Sequence, residues 1–209
     1  MFEIITILIL ILSIVLHEVA HGYAANWLGD PTARLAGRLS PNPLLHIDPM
    51  GSVIIPALLF LSGSQFLFGY AKPVPYNPYN LRNQKWGEAL VAVAGPLTNL
   101  LLAFIFAIII RFASVLNLSS AFMEMAGYVV FINILLAVFN IIPFPPLDGS
   151  KVIIPFLPYQ LAYRYQMFAR KIENLGFVAV FLTVMIFMLV LWKPFSVVVS
   201  TIYQVMVGI

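Results

Sequence analysis

The sequence has no cysteine and few charged residues. Of its 209 residues, 9% are Asp, Glu, Lys or Arg and 62% are hydrophobic, whereas an ordinary soluble domain carries roughly 25% charged residues. The absence of cysteine excludes disulfide bonds and thiolate ligands, so any metal site must use His or carboxylate groups. The scarcity of charge indicates that lipid, rather than water, surrounds most of the chain.

The basic residues do not form a nucleic-acid-binding pattern. The formal net charge is +3, but the 11 Lys and Arg residues are scattered between apolar runs instead of clustering with aromatic residues. No Ser/Gly-rich linker, low-complexity tract or repeat of fixed period divides the sequence. We therefore expect one membrane domain over residues 1–209 and no nucleic-acid partner.

Five apolar stretches are candidates for membrane spans, since about 20 residues of helix cross the hydrocarbon core. They are Ile4 to Leu28, Gly51 to Tyr70, Gly87 to Ile110, Phe122 to Ile142 and Leu175 to Trp192. The first lacks the basic segment and cleavage site of a signal peptide, so we expect it to be retained as a helix. The second carries Pro56 and Gly63 in its interior, and both weaken a continuous helix. The apolar tail, Pro194 to Ile209, is short for a span, so we expect it at the interface or against the bundle.

The distribution of basic residues separates two topologies, because Lys and Arg favour the cytoplasmic side in short loops. If all five stretches span, the two faces carry 4 and 7 basic residues. If Gly51 to Tyr70 enters and returns as a re-entrant hairpin, the split is 9 against 2, with Arg111 and Lys193 on the smaller side. The stronger asymmetry favours an all-α, polytopic helix bundle with about four spanning helices and one hairpin. Thr32 to Ser40, followed by a turn-rich Pro-Asn-Pro, predicts a short β element near the cytoplasmic interface.

The first helix contains His17-Glu18-Val19-Ala20-His21, an H-E-x-x-H pattern. Positions i and i+4 share one face of a helix, so both imidazoles can bind one metal ion while Glu18 points to the side, towards an attacking water molecule. Ionisable side chains inside an apolar helix are costly and are functional candidates for that reason. The alternative interpretation is two hydrogen-bonded polar residues inside a bundle.

A catalytic zinc site needs three protein ligands and an open position for water, so a third ligand must come from elsewhere. The best candidate is Asp148, which follows three prolines that break the fourth helix. Unwound backbone is tolerated at membrane depth where protein or water satisfies it, and in the hairpin topology Asp148 emerges on the same side as the two histidines. Taken alone, Asp148 is better explained as a turn residue. His46 and Asp48 are rival ligands, although each is more simply explained by ordering its own turn.

Several motifs are spread over more than half of the chain. They are His17 to His21, Gly37 to Leu44 with His46 to Asp48, Ala71 to Val74 with Asn77 to Asn80, Gly95 to Asn99, and Asn140 to Gly149. Together they resemble the site-2 protease family of intramembrane zinc metalloproteases. The resemblance implies that His17, His21 and Asp148 are the zinc ligands and that Glu18 is the catalytic acid/base.

The resemblance also implies supporting positions around the site at Gly95, Asn99 and Asn140. The two asparagines have a second interpretation as interhelical hydrogen bonds, worth about 0.6 kcal/mol each in measured membrane proteins. The sequence has no room for a PDZ domain or a nucleotide-sensing domain, so it resembles the short prokaryotic form of the family.

The implied activity is regulated intramembrane proteolysis: hydrolysis of peptide bonds within or near the transmembrane segments of substrate proteins, in the cell membrane, with one Zn²⁺ per chain towards the cytoplasmic side. A non-catalytic metal-binding scaffold or transporter is the alternative, although transporters usually show repeated halves. Non-haem iron is a second candidate metal, because it also binds two imidazoles and one carboxylate.

Overall fold

The computed structural model describes residues 2–54, 57–58, 61 and 70–208, and its regular structure is helical. The helices are α1 (Phe2–Trp27), α2 (Thr32–Leu35), α3 (Gly87–Arg111), α4 (Ser120–Asn140), α5 (Gly149–Val152), α6 (Tyr159–Glu173), α7 (Phe177–Ile186) and α8 (Trp192–Val207). Short 3₁₀ or π turns lie at Pro43–His46, Pro49–Ile54, Pro78–Asn80, Ile154–Phe156 and Phe187–Leu191.

Four helical segments in the described residues are long and apolar enough to cross a membrane. They are Ile4–Trp27, Gly87–Arg111, Ser120–Asn140 and Phe177–Val207. This number confirms the expectation of four spanning helices. The start of α4 is defined by Ser119, whose hydroxyl accepts a hydrogen bond from the backbone N–H of Phe122, as an N-cap does.

The segment Phe177–Val207 bends at its π turn. The rings of Phe187 and Phe195 have centroids 4.7 Å apart, whereas eight residues of straight helix would separate them by about 12 Å. Pro194 explains the break, because proline lacks an N–H and its ring clashes with the carbonyl four residues earlier. The tail residues therefore form α8, which packs against α3 and α4.

The bundle core lies where α3, α4, the π turn and α8 meet. Its buried members are Ala103, Ala107, Val130, Ile134, Phe187, Phe195, Val199 and Val207. The two alanines let the neighbouring helices approach α3 closely, and small residues serve this purpose in membrane bundles because lipid provides no hydrophobic driving force between helices.

Neighbouring helices of the bundle run antiparallel. His17 and His21 of α1 contact Asn99 and Val91 of α3, respectively, so α1 ends where α3 begins. We call this end of the bundle the loop-rich end, because the two long connections start and finish there: residues 28–86 and 141–176.

The basic residues are concentrated at the loop-rich end. Phe195 packs on Phe139 near the end of α4, which places the neighbouring Lys193 at the loop-rich end rather than beside Arg111. The predicted split of 9 against 2 is therefore wrong by one residue, since Lys193 lies on the larger side. Besides Lys193, the loop-rich end carries Arg34, Arg38, Lys72, Arg82, Lys85, Lys151, Arg164, Arg170 and Lys171.

The ends of the stretch Gly51 to Tyr70 meet. The backbone N–H of Tyr70 donates to the carbonyl of Gly51 at 3.1 Å, and the hydroxyl of Ser52 donates to the carbonyl of Tyr70 at 2.8 Å. The two described ends of the stretch therefore lie side by side, which contradicts the topology with five spans. The re-entrant hairpin predicted here falls mostly on residues 55–56, 59–60 and 62–69, which lie outside the described residues.

The predicted β element is wrong. Thr32–Leu35 forms the helical turn α2, and the described residues contain no strand. Asp30 explains the difference, because its carboxylate accepts hydrogen bonds from both the backbone N–H and the hydroxyl of Thr32. These local bonds stabilise a turn at the point where a strand would need an extended chain.

The two ends of the bundle should be accessible from opposite sides of the membrane. The chain has no native cysteine, so Lys85→Cys and Leu116→Cys each introduce a single thiol at an exposed position, one at each end. We expect a membrane-impermeant maleimide to label one variant only from outside intact cells and the other only after lysis. Labelling of both variants from the same side would contradict the topology.

Candidate metal centre

Two imidazoles and one carboxylate converge between α1 and α3. The Nε2 atoms of His17 and His21 lie 3.1 Å apart, and Asp148 Oδ2 lies 3.1 Å from the first and 3.3 Å from the second. One ligand atom from each residue lies within 4.8 Å of the others, a spacing that could hold a metal ion. The histidines are 6% and 9% exposed, so this polar cluster is enclosed by the bundle.

The position of Asp148 depends on the proline-rich loop after α4. Tyr165 of α6 donates its hydroxyl to the carbonyl of Pro143 at 3.1 Å, and Thr183 of α7 donates to the carbonyl of Pro145 at 3.1 Å. These bonds satisfy backbone carbonyls that the broken helix leaves free, as backbone in an apolar environment requires. Neither hydroxyl group was predicted, because nothing in the sequence spacing of Tyr165 or Thr183 indicates a contact with the loop.

Hydrogen bonds orient both imidazoles. His17 donates from Nδ1 to the side-chain oxygen of Asn99 at 2.5 Å, and His21 donates from Nδ1 to the backbone carbonyl of Val91 at 2.7 Å. Each ring therefore keeps its proton on Nδ1 and directs the Nε2 lone pair towards Asp148. Such outer hydrogen bonds fix the tautomer that binds a metal.

The amide of Asn99 is itself held by a buried polar chain. Its Nδ2 donates to the side-chain oxygen of Asn133 at 2.7 Å, and Asn133 Nδ2 donates to the hydroxyl of Ser13 at 2.9 Å. Both asparagines are 0% exposed and Ser13 is 4% exposed. The chain sets which end of the Asn99 amide faces His17. Sequence analysis did not identify Ser13 or Asn133, although a polar residue one helical turn before His17 was a usable signal.

Glu18 lies beside the ligand set and is half-buried. One of its carboxylate oxygens, Oε2, accepts a hydrogen bond from the backbone N–H of Val74 at 2.9 Å. Glu18 does not join the cluster formed by the imidazoles and Asp148. A carboxylate placed next to a metal site, but outside its ligand set, can exchange protons with a bound substrate or water.

Gly95 lies directly against the ligand set. A Cβ atom at this position would be 2.5 Å from Nε2 of His21 and 2.6 Å from Nε2 of His17. Only glycine leaves room for both imidazoles on this face of α3. Gly149 has a similar role beside Asp148, because a Cβ atom there would collide with the backbone of Ile141.

The other candidate residues have hydrogen-bond partners that do not belong to the ligand set. Asn140 donates its amide to the carbonyl of Leu136 within α4, at 3.0 Å. His46 donates from Nε2 to the carbonyl of Ser40, and Asp48 accepts from the backbone N–H of Gly51. His46 and Asp48 order their own turns, as the simpler interpretation of each one predicted.

The donor set fits a metal ion of borderline softness, which accepts both nitrogen and oxygen ligands. Two neutral imidazoles and one carboxylate are the ligands that catalytic zinc uses, with a further position left for water or substrate. Among the described residues no Lys or Arg forms an ion pair with Asp148, and a cation between the three Lewis bases explains their close approach. Fold and site together define a membrane-embedded helix bundle with a candidate three-ligand metal centre.

Comparison with known proteins places this bundle in a family. The model of Peptidase family M50 matches residues 5–126. YwhC of Bacillus subtilis, whose name describes a candidate zinc metalloprotease, is 36% identical over 73% of this chain and 68% of its own length. Rip2 of Mycolicibacterium smegmatis, with a name of the same kind, is 29% identical over 70% of this chain and 55% of its own. The chain belongs to peptidase family M50, the site-2 protease family.

Two features of these matches bear on the site. The range matched by the family model includes His17, Glu18, His21 and Asn99 but ends before Asp148, so the geometry adds the third candidate ligand independently. The alignment spans about half of the length of Rip2. No solved structure gives a significant match.

Removing the Asn99 amide should weaken zinc binding. Asn99→Ala leaves Nδ1 of His17 without its acceptor, and loss of such an outer partner typically lowers metal affinity by about 10–100-fold. We expect this increase in the zinc dissociation constant in a competition titration with a chelator. Asn174→Ala is the matched control and should retain the parental constant, because its side chain is exposed at the end of α6. Equal constants for Asn99→Ala and the parent would contradict the assigned role.

A methyl group at position 95 should displace an imidazole. Gly95→Ala places Cβ within 2.6 Å of both histidine rings, while alanine favours the helix itself. We expect the helix content measured by circular dichroism to stay at the parental level and zinc affinity to fall by at least about 10-fold. Gly127→Ala is the control, since its Cβ would meet only the Tyr203 hydroxyl, at 3.1 Å. Parental zinc affinity in Gly95→Ala would show that the rings do not occupy this face.

Proposed function

We propose that the chain is a zinc endopeptidase that hydrolyses peptide bonds within or next to the transmembrane segments of other membrane proteins. The observation that carries the proposal is the convergence of His17, His21 and Asp148. The two histidines and the neighbouring Glu18 lie on a helix that is apolar enough to span the bilayer. Membership of peptidase family M50 supports proteolysis as the reaction, and the names of the relatives support zinc as the metal.

The three ligands and Glu18 have different roles in this proposal. His17, His21 and Asp148 hold the zinc ion, which when bound lowers the pKa of a water molecule and polarises the scissile carbonyl. Glu18 accepts a proton from the attacking water and delivers it to the leaving amine. Asn99 and Val91 keep both imidazoles in the binding tautomer throughout.

The depth of the site supports membrane-embedded substrates. Counted back from Trp27, His21 and His17 lie about 9 Å and 15 Å along α1, at ~1.5 Å per residue. A peptide bond cut at this depth lies within the length of a spanning helix, and a helical substrate hides its carbonyl groups in hydrogen bonds. The substrate must therefore unwind locally, so we expect cut sites near residues with low helix propensity.

The orientation of the site follows from the charges. Ten of the 11 Lys and Arg residues lie at the loop-rich end, which also holds the ligand set, and basic residues near spanning helices favour the cytoplasmic side. We infer that the site opens towards the cytoplasm and that Gly51 to Tyr70 forms a re-entrant hairpin on that side. Its adjoining ends support the inference.

Glu18→Gln tests the reaction directly. The amide cannot take a proton from water, so we expect cleavage of a model transmembrane substrate by the purified protein to fall by about 10²–10⁴-fold. Zinc content, measured on the same preparation, should stay at the parental level because Glu18 is not a ligand. Parental cleavage by Glu18→Gln would contradict the assigned mechanism. Zinc binding without cleavage by the parent would favour the non-catalytic scaffold.

A further inference from the structure

A short segment before α3 contacts α1 at the level of Glu18. Within Pro73-Val74-Pro75, both prolines lack an N–H, so Val74 carries the one backbone donor of the tripeptide. That donor bonds to Oε2 of Glu18 at 2.9 Å. Pro75 also biases Val74 towards an extended conformation. The sequence thus presents a single, rigidly held N–H group to the carboxylate.

Arg38 holds the segment from its other side. Its Nη2 donates to the carbonyl of Lys72 at 2.9 Å and to that of Pro73 at 3.4 Å. Its side chain also contacts Nδ1 of His46 at 3.5 Å. In turn, the backbone N–H of Lys72 donates to the carbonyl of His46 at 2.9 Å. The guanidinium therefore fixes the backbone immediately before the N–H that contacts Glu18.

The burial of Arg38 is unusual for a charged residue. It is 8% exposed, its Nε has no hydrogen-bond partner in the described part of the chain, and none of the described carboxylates forms an ion pair with it. Burying a cation without an anionic partner is costly. The interactions that compensate Arg38 are carbonyl groups of the segment, so arginine and segment are structurally linked.

Packing brings the segment against α1 without a gap. Gly22 follows the ligand His21, and a Cβ atom there would lie 2.8 Å from Cγ1 of Val74 and 2.6 Å from Cδ2 of Leu39. Val74 is 6% exposed. The missing Cβ thus lets Val74 sit close enough to reach Glu18. Further along the chain, Asp30 accepts the backbone N–H of Asn77 at 2.6 Å and fixes the end of the segment.

We propose that Arg38 is a positioning residue for Glu18, acting through Pro73-Val74-Pro75. The segment holds Oε2 of the carboxylate, which leaves Oε1 directed to the proton of the attacking water. The inference rests on the proposed function, because it takes Glu18 as the proton acceptor. We call Arg38 and the tripeptide the Glu18 clamp.

The clamp can be tested without measuring proteolysis. Pro73-Val74 is the one Pro–Val pair in the sequence, so labelling with ¹³C-carbonyl proline and ¹⁵N-valine gives a single amide signal in a carbonyl-selected NMR spectrum of the zinc-loaded protein. We expect this signal to move upfield and to exchange faster with solvent in both Glu18→Ala and Arg38→Gln. Arg34→Gln, an exposed arginine of the same connection, should leave it in place. An unmoved signal in Arg38→Gln would overturn the proposal.

Kinetics test the consequence for the reaction. Val74→Pro removes the N–H and suits a segment already flanked by prolines, whereas Val74→Ala keeps it and loses only side-chain packing. Misplacement of a catalytic group by about 1 Å costs about 10²-fold, so we expect Val74→Pro to lower kcat by about 10–100-fold with KM and zinc content at parental values. Val74→Ala should lose less, and Arg38→Gln should add little in combination with Val74→Pro.

The outcomes separate the clamp from the function it serves. If kcat of Val74→Pro equals that of the parent, or if this variant loses zinc, Val74 does not act by positioning Glu18 and the clamp is wrong. If the parent cleaves nothing, the proposed function fails. The Val74 amide signal then still shows whether both Arg38 and Glu18 affect the backbone N–H of Val74.

Discussion

A polar group surrounded by hydrocarbon must find its partner inside the protein, and this constraint organises the whole site. His17 and His21 lie on a helix suited to span the bilayer, where an unsatisfied polar group costs several kcal/mol. Each Nδ1 therefore bonds to a fixed acceptor, Asn99 or the carbonyl of Val91. The side-chain amide of Asn99 must also be hydrogen-bonded, and it donates to the side-chain oxygen of Asn133 of α4. Hydrogen bonds between buried polar groups thus link α1, α3 and α4 around the candidate ligand atoms.

The same constraint explains how a broken helix can present a ligand. The prolines after α4 separate Asp148 from that helix and expose backbone carbonyls, which Tyr165 and Thr183 satisfy from two later helices. Those helices are therefore attached to the loop that carries the third ligand. A movement of α6 or α7 relative to the bundle would disturb these bonds, so the geometry of Asp148 depends on parts of the chain far from it in sequence.

The sequence identified the groups that are rare in lipid and missed those that act through the backbone. His17 and Glu18 are noticeable because ionisable residues are scarce in apolar helices, and the count of spans follows from hydropathy. Asp148 was a candidate because the site needs a third ligand and this residue follows the proline break. The prediction of a strand at Thr32 to Ser40 was wrong because Asp30 stabilises a local turn. The predicted position of Lys193 was wrong because the bend near Pro194 changes the direction of the chain. Val74 was unpredictable because its contribution is an N–H group, which every residue but proline carries.

The candidate metal ligands and the proposed proton acceptor, Glu18, are held by different parts of the protein. The imidazoles are fixed from α3 and α4, inside the bundle, whereas the Glu18 carboxylate is held by the segment before α3, outside the bundle core. Metal binding and proton transfer therefore depend on separate contacts, and one can change while the other is retained. Val74 is buried to the same extent as the imidazoles, at 6% against 6% and 9% exposed, so both sets of contacts lie in the interior of the protein.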